Sequence, residues 1–213
     1  MSRRVILWSS LAISMVLIVL LIVWQVGNTE PQVQESRGQS SVFEVTENDW
    51  KKGNPEADIV VIKYSDFQCP ACYSYAAMDH QLSQELGDKV LFVYRHFPLQ
   101  SFQYSRMAAR YAEAAGRQGK FWEMHDLIYN NQQNWRSGNA ILVFRQLAEL
   151  LDLDMQQMDK DILDPKIESR INMHYGQGQQ IGVRGVPAIF INGKQFPYTQ
   201  SIDEYRNQIL SFQ

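Results

Sequence analysis

The sequence predicts an α/β domain, a small mixed sheet with helices on both faces, behind an apolar segment long enough to cross a membrane. Three observations predict this arrangement. The chain reads as strand, helix, strand, helical stretch, hairpin and helix; two cysteines stand where the first strand meets the first helix; and an uncharged run lies near the N-terminus. A chain of 213 residues is long enough for one such domain and an appendage.

Composition excludes several classes of protein. Twenty Lys and Arg against 23 Asp and Glu give a formal net charge of −3, so we expect no nucleic acid partner. Aromatic residues make up 12% of the chain, which argues against disorder over its whole length. Two cysteines are too few for a disulfide-rich scaffold or, alone, for a four-ligand zinc site.

The apolar run spans residues 5–26 and predicts an uncleaved transmembrane anchor. As a helix it would extend about 33 Å, against a hydrocarbon core of about 30 Å. Arg3 and Arg4 precede the run, and positive residues on the short side keep that end in the cytoplasm. A cleaved signal peptide is the alternative, but its apolar region is usually about 7–15 residues and ends at a small-residue site, for which residues 25–29 offer only poor candidates.

The predicted organisation follows from the anchor. Residues 1–4 form a cytoplasmic stub, and the polar, nearly featureless residues 27–41 form a flexible linker. The folded domain then occupies residues 42–213, on the exported side of the membrane.

The folded domain begins with a β-branched apolar run at residues 59–64, which is typical of a buried strand. Cys69 then takes the N-cap position of a helix, and Pro70 takes its first position, where a missing N–H is harmless. This helix should end with Gly87 as its C′ residue. A second strand is predicted at residues 89–95.

Helical periodicity dominates the middle of the chain, and a hairpin and a last helix follow. The predicted helices cover residues 104–116, 121–129, 140–151, 155–163 and 167–180. Residues 186–191 read as a strand, which an Asn-Gly turn at 192–193 pairs with residues 194–196. Ser201 begins a capping box before the C-terminal helix.

The C-x-x-C pair, Cys69 and Cys72, stands where a reactive thiolate is favoured. The N-terminus of a helix offers unpaired N–H groups and roughly half a positive charge, and the second thiol can donate to the first. Such settings lower the pKa of a cysteine from about 8.5 towards about 3.5–7.5. We therefore predict that Cys69 is the nucleophile and that Cys72, one turn further into the helix, is the more buried, resolving sulfur.

Two other interpretations of the pair stay open on the residues alone. One is half of a zinc site completed by scattered histidines, namely His80, His96, His125 and His174. The other is a structural disulfide, which would close a very small loop and stabilise the fold little. Haem attachment is excluded because Tyr73, and not histidine, follows the second cysteine.

Three segments together resemble the DsbA-like thiol:disulfide oxidoreductases of bacteria, most closely their membrane-anchored branch. They are YSDFQCPAC at 64–72, RHFPL at 95–99 and GVPAIFING at 185–193. The resemblance covers the chain from about residue 42 onwards. It implies a thioredoxin fold with a helical domain inserted at about 100–182, and a redox-active disulfide between the two cysteines in place of any cofactor or metal.

The resemblance also implies roles for the residues around the cysteines. Pro70 and Ala71 lie between them and belong to the motif. Pro187 follows a cis Val186–Pro187 bond and packs against the active-site disulfide, while the backbone at Val186 pairs with the substrate segment. Phe67, which flanks the motif, is a candidate for an apolar surface that contacts unfolded substrates.

Two positions depart from the pattern of the family. Ala71 stands where the best-studied members have a histidine that stabilises the thiolate, so we expect a weaker oxidant. Lys63 stands where many relatives have a buried acid. It is either a lysine that snorkels to the surface or a cation that tunes the pair by favouring the Cys69 thiolate.

Two further groups of residues have a structural and a functional interpretation. His96 is expected to be a hydrogen-bonded structural histidine rather than part of the active-site surface. The aromatic residues Phe121, Trp122 and Tyr129 are expected to form helical core rather than a ligand pocket.

The predicted function is that of an extracytoplasmic thiol-disulfide oxidoreductase, a monomer anchored in a bacterial cytoplasmic membrane, that introduces disulfides into unfolded exported proteins. The resemblance implies that a quinone-coupled membrane protein reoxidises the pair. One alternative is a disulfide reductase or isomerase that a membrane partner keeps reduced. The other is a non-redox binding module on a thioredoxin scaffold, since fold alone does not guarantee function.

Overall fold

The computed structural model describes residues 15–22, 24 and 42–212. The chain divides into two compact units, residues 1–38 and 39–213, and the second carries the sheet and the cysteines.

The predicted membrane segment is described only in part. Residues 15–22 and 24 are helical, and across the described residues every helix is too short or too polar to cross a membrane. The predicted stub at 1–4, the rest of the anchor at 5–26 and the linker over 27–41 lie outside the described residues.

The described residues form one five-stranded mixed sheet with the strand order β1-β3-β2-β4-β5. Its strands are β1 (Trp50–Gly53), β2 (Ile59–Ser65), β3 (Val90–His96), β4 (Ala188–Ile191) and β5 (Lys194–Phe196). The central strands β2 and β3 are parallel, and the other pairs are antiparallel. This confirms the predicted mixed sheet and its hairpin. β1 was not predicted, because its sequence WKKG lacks the apolar alternation of a strand.

The helices confirm the predicted order and add one short turn. They are α1 (Pro70–Leu86), α2 (Ser105–Arg117), α3 (Phe121–Asn130), α4 (Gln132–Trp135), α5 (Ala140–Leu150), α6 (Met155–Asp161), α7 (Pro165–Gln180) and α8 (Ile202–Leu210). Ser201 caps α8 through a hydrogen bond from the Glu204 amide, as predicted. Gly87 differs from the prediction: it is the C-cap of α1 and keeps right-handed backbone angles, with φ −58°.

Helices cover both faces of the sheet, as predicted. On one face, α1 and α8 pack against strand residues; the buried members of this layer include Ile59, Val61, Tyr75, Leu82, Phe92 and Tyr205. On the other face, the end of α7 contributes Tyr175 beside Tyr64 and Phe190. The inserted helices have a core of their own, and both cysteines belong to that core. The active-site pair therefore lies where the insertion meets the sheet.

Two histidines are buried in the domain, and burial lowers the pKa of both imidazoles. His125 on α3 is 3% exposed, and His174 on α7 is fully buried. Burial lowers the pKa of His125 to about 4 and that of His174 to about 3, although neighbouring carboxylates oppose the shift. Both side chains are therefore neutral in the folded protein at pH values where the unfolded chain protonates them.

Acidification is expected to destabilise the domain through these two histidines. Because the unfolded state binds more protons below about pH 6.5, the free energy of unfolding should fall by about 2–3 kcal/mol per histidine by pH 4.5. Asp66, whose pKa burial raises, acts in the opposite sense. Urea unfolding between pH 6.5 and 4.5 measures the slope, which should flatten in the variant His125→Phe. An equal slope in the variant would contradict the role given to His125.

Candidate active site

The junction between β2 and α1 positions the two cysteines. β2 ends at Ser65, and four residues later Cys69 occupies the N-cap position with extended backbone angles, φ −76° and ψ 123°. Pro70 follows at the first helical position, as predicted. Both sulfurs are thiols; Cys69 is 7% exposed, and Cys72 is fully buried. The pair is thus asymmetric, because Cys69 keeps a small exposed fraction and Cys72 has none.

The two thiols have different pKa values because their environments differ. The side-chain hydrogen bond from Cys72 lowers the pKa of Cys69 to about 7, against burial, and the backbone amides of Cys72 and Ala71 add to the effect. Burial, followed by the neighbouring Cys69, raises the pKa of Cys72 well above its ordinary value. The geometry therefore favours Cys69 as the attacking thiolate and Cys72 as the resolving sulfur.

The loop before β4 lies against the outer sulfur. The Val186–Pro187 peptide bond is cis, as the resemblance implies. The carbonyl oxygen of Val186 lies 3.5 Å from the Cys69 Sγ. β4 begins only at Ala188, since Pro187 has no N–H to contribute to the sheet.

A buried carboxylate, which the sequence analysis missed, organises the loop before the cysteines. Asp66 accepts hydrogen bonds from the amides of Gln68 and Leu99, both at 2.7 Å, and from the Ser105 hydroxyl at 2.6 Å. Its bond to the amide two residues ahead is typical of aspartate in a turn, and that local pattern is the signal that was available in the sequence. Asp66 therefore ties the active-site loop to α2.

Two glutamines complete the attachment of this loop to the insertion. The Gln68 side chain accepts from the Tyr104 amide at 2.7 Å and donates to the Arg136 carbonyl at 2.9 Å. The Gln132 amide donates to the carbonyls of Phe67 and Cys69, at 2.8 and 3.1 Å. The inserted helices therefore fix the position of the backbone that carries the outer cysteine.

Phe67 does not occupy the position predicted for it. Its side chain is only 1% exposed and packs against the rings of Tyr94, His125 and Tyr129. A ring in this aromatic core cannot form an exposed platform for substrates, so that prediction is wrong. Tyr73, which directly follows the second cysteine, is 40% exposed.

Lys63 is buried rather than snorkelling to the surface. Its residue exposure is 4%, its ammonium forms an ion pair with Asp79 on α1, and the same nitrogen lies 5.8 Å from the centroid of the Tyr94 ring. The snorkelling interpretation is wrong because α1 supplies a carboxylate that satisfies the charge inside the fold. The groups that most strongly shift the pKa of Cys69 are Cys72 and the helix amides.

Substituting Lys63 separates its structural role from its tuning role. In Lys63→Met the Asp79 carboxylate loses its partner, and we expect a destabilisation of about 2–3 kcal/mol, most of it recovered in Lys63→Met/Asp79→Leu. If Lys63 favours the Cys69 thiolate, the pKa of Cys69 rises in the same variant. From the pairing with Asp79 we expect that pKa to be unchanged. Thiolate absorbance and urea unfolding measure the two effects, and a raised pKa would restore the tuning hypothesis.

The remaining histidines and aromatic residues have structural positions. His96 is 1% exposed and its Nε2 lies 2.8 Å from Glu113, which confirms the structural interpretation. Phe121 and Tyr129 are buried in the core of the insertion, and Trp122 packs against that core. This confirms the expectation that these aromatic residues form helical core. Within the part of the chain that the structure describes, histidine, cysteine and acidic side chains form no group of three or more that could hold a metal ion.

A nucleophilic thiol at a helix start, a buried resolving thiol one turn later and a facing cis-proline loop together define the site of a thiol:disulfide oxidoreductase. The family model described as Thioredoxin matches residues 45–210, so the chain belongs to the thioredoxin family.

Solved structures agree with this assignment. The thiol-disulfide exchange protein α-DsbA2 from Wolbachia pipientis aligns with a TM-score of 0.71 at 18% identity, over 86% of this chain and 100% of that one. A thioredoxin-like oxidoreductase from Silicibacter pomeroyi aligns with a TM-score of 0.66 at 27% identity, over 78% and 92%. BdbD from Bacillus subtilis aligns with a TM-score of 0.69 at 18% identity, over 78% and 92%. The predicted DsbA-like fold is confirmed.

Two relatives contain a segment similar to this chain as part of a longer protein. The Na⁺/H⁺ antiporter NhaA 3 of Salinispora tropica is 32% identical over 166 residues, which are 78% of this chain and 25% of the antiporter. The antiporter NhaA 1 of Salinispora arenicola is 33% identical over 158 residues, 74% of this chain and 24% of that protein. The chain thus spans about a quarter of the length of these relatives.

Proposed function

We propose that this protein is an extracytoplasmic disulfide oxidase, which transfers the Cys69–Cys72 disulfide to exported proteins. A substrate thiolate attacks the Cys69 sulfur, the bond to Cys72 breaks, and Cys72 leaves as a thiolate. A second substrate thiolate then attacks the substrate sulfur of this mixed disulfide and releases the Cys69 thiolate. The substrate loses two electrons and two protons, and the enzyme pair gains two electrons. A quinone-coupled membrane protein returns the pair to the disulfide.

The observation that supports this function is the unequal acidity of the two thiols beside a cis-proline loop. A Cys69 pKa of about 7 provides a large thiolate fraction near neutral pH, and the thiolate is the form in which Cys69 takes part in disulfide exchange. No cofactor is needed for this chemistry, because the electrons move between sulfurs. Val186 supplies backbone next to Cys69 for pairing with an extended substrate segment.

A location at the outer side of a membrane is part of the proposal. The uncharged run at residues 5–26 and the preceding arginines support an anchor with this orientation. Membrane and soluble fractions probed with an antibody against the domain test this part. Recovery only in the soluble fraction would contradict the anchor.

A second candidate function, reduction or isomerisation of disulfides, is favoured by one observation. The pKa of Cys69, about 7, is close to that of the reducing protein thioredoxin and well above the value of about 3.5 in DsbA itself. The resemblance points in the same direction, because Ala71 stands where the best-studied members have a thiolate-stabilising histidine.

The redox state of the pair in living cells distinguishes the two directions. Cells are quenched in acid, and free thiols are modified with a reagent that adds mass and shifts the protein on a gel. The oxidase predicts a pair that is mostly a disulfide at rest and becomes reduced when the membrane reoxidase is inactivated. A pair that is mostly reduced at rest would contradict the oxidase and favour the reductase. Protein treated with dithiothreitol before modification provides the fully reduced reference, and the variant Cys69→Ala marks the shift of a single thiol.

A further inference from the structure

The short helix α4 of the insertion contacts the active-site loop at both of its ends. Its last residue, Trp135, is fully buried and donates from the indole Nε1 to the Ile128 carbonyl at 2.8 Å. Directly after the helix, the Arg136 carbonyl accepts a hydrogen bond from the Gln68 side chain at 2.9 Å. At the start of the helix, the Gln132 side chain reaches the backbone on either side of Gln68. α4 is therefore anchored in the insertion and bonded to the loop that leads to the cysteines.

A single buried amide, that of Gln132, binds two backbone carbonyls of this loop. Gln132 is 2% exposed, and its Nε2 donates to the Phe67 carbonyl at 2.8 Å and to the Cys69 carbonyl at 3.1 Å. Because both partners can only accept, the nitrogen of the amide must face them. The Cys69 carbonyl also accepts from the Tyr73 amide at 3.2 Å, which is a hydrogen bond of the first turn of α1. The peptide unit after Cys69 is therefore held from two sides, by its own helix and by the insertion.

The Gln132 amide has protein partners on its nitrogen side only. No group of the residues that the structure describes donates to its buried Oε1. A buried acceptor without a partner costs free energy, and an apolar side chain of similar size, such as methionine, would fill the same volume without that cost. The two N–H groups are therefore what distinguishes glutamine from an apolar residue at this position.

Of the two cysteines, Cys69 has the backbone that depends on outside contacts to stay in place. Cys72 is fully buried within α1, whereas Cys69 is the N-cap, and the ends of helices open more readily than their interiors. Attack of one group on another in the same molecule is fast when the reacting atoms are held about 3–3.5 Å apart and aligned. Movement of the Cys69 backbone would lower the effective concentration of one sulfur at the other. Hydrogen bonds to the Cys69 carbonyl limit this movement without touching the sulfur.

We propose that Gln132 is a positioning residue that holds the Cys69 backbone so that Cys72 can resolve mixed disulfides. The proposal rests on the proposed function only in that exchange passes through both sulfurs. In the resolving step, the Cys72 thiol loses its proton to solvent, and the thiolate attacks the Cys69 sulfur. The new S–S bond forms as the bond from Cys69 to the other sulfur breaks, and that sulfur leaves as a thiolate. Over the whole exchange the pair loses two electrons, and the disulfide that it attacked gains them.

Rapid mixing of the reduced full chain with an aromatic disulfide reagent, 5,5′-dithiobis(2-nitrobenzoate), tests the proposal. A first phase, dependent on reagent concentration, reports attack by Cys69 and the release of one aromatic thiolate. A second, concentration-independent phase reports the release of the other thiolate when Cys72 resolves the mixed disulfide. The net contribution of two neutral hydrogen bonds corresponds to roughly tenfold in rate. We therefore expect Gln132→Met to slow the second phase roughly tenfold and to leave the first phase unchanged.

Equilibration with glutathione gives a second measurement of the same quantity. The equilibrium constant for closing the Cys69–Cys72 disulfide from the mixed disulfide with glutathione reports the effective concentration of Cys72 at Cys69. Gln132→Met should lower this constant by a similar factor, because the open pair gains freedom that the closed disulfide excludes. Gln132→Asn keeps the amide on a side chain that is one methylene shorter. It should give a smaller change in the same direction, and it carries the test if Gln132→Met does not fold.

Gln133→Met is the matched control. It makes the same exchange at the next position of α4, where the side chain is exposed, and it should change neither measurement. Values for Gln132→Met and Gln132→Asn equal to those of Gln133→Met would overturn the proposal. So would a first phase slowed as much as the second, because that result would show a general disruption of the site. Since Cys69 attacks the reagent whichever direction the protein works in cells, failure of the oxidase function would leave the outcome unaffected.

Discussion

Replacing Cys72 with alanine is expected to convert the protein into a trap for its substrates. Cys69 keeps its place at the N-terminus of α1 and its access to solvent, so it still forms mixed disulfides. The chain has only two cysteines, so no other sulfur of its own can resolve them. Turnover should fall to the rate of uncatalysed exchange, while disulfide-linked complexes accumulate.

Non-reducing gels of cell extracts, followed by mass spectrometry of the trapped bands, measure this outcome. The matched control is Cys69→Ala, which should lose turnover and form no complexes, because the remaining thiol is fully buried and its pKa is raised. Trapping by the Cys69→Ala protein in place of the Cys72→Ala protein would reverse the roles given to the two sulfurs. The identity of the trapped proteins also tests the proposal that the substrates are exported chains.

Arg95→Met is expected to cause the largest loss of stability of any single substitution considered. The Arg95 side chain is fully buried at the end of β3 and donates to both oxygens of Asp49, at 2.7 and 3.0 Å. It also donates to the carbonyls of Val42 and Glu44 and to the Tyr64 hydroxyl. One guanidinium thus fixes the start of the folded domain to the sheet.

Removing this cation leaves a carboxylate buried without its partner, which typically costs about 3–5 kcal/mol. Urea unfolding measures the change in the free energy of unfolding. The double variant Arg95→Met/Asp49→Leu should recover a substantial part of the loss, because it removes both charges. Arg145→Met breaks the exposed pair with Asp159 and serves as a control in which no measurable loss is expected. A loss in Arg95→Met no greater than in this control would refute the role of the buried cluster.

The local parts of the site could be read from the sequence, because they depend on neighbouring residues. An apolar run followed by C-P-x-C specifies a strand, an N-cap and a first helical turn within one stretch of chain. The turn at Asn192 and Gly193 also follows local rules, since both residues have positive φ, 47° and 79°. The cis bond before Pro187 came from the family resemblance rather than from residue chemistry.

The parts that sequence reasoning missed depend on contacts between distant segments. Gln132 reaches the Cys69 carbonyl across 63 positions of chain, and Tyr129 reaches Ser65 across 64. No periodicity or spacing encodes such pairs. The orientation of Phe67 was missed for a related reason: a flanking aromatic residue at a helix start can face either solvent or core. Here the inserted helices supply the aromatic neighbours that turn it inward.

Disulfide transfer by Cys69 and Cys72 is tested most directly by the equilibrium of the purified full chain with glutathione. The fraction of oxidised pair, measured by mass after acid quenching across a series of glutathione ratios, gives the reduction potential. An oxidase predicts a potential above about −180 mV, together with stoichiometric oxidation of a reduced, unfolded model protein. A potential near that of thioredoxin, about −270 mV, with the model protein left reduced, would contradict the oxidase function.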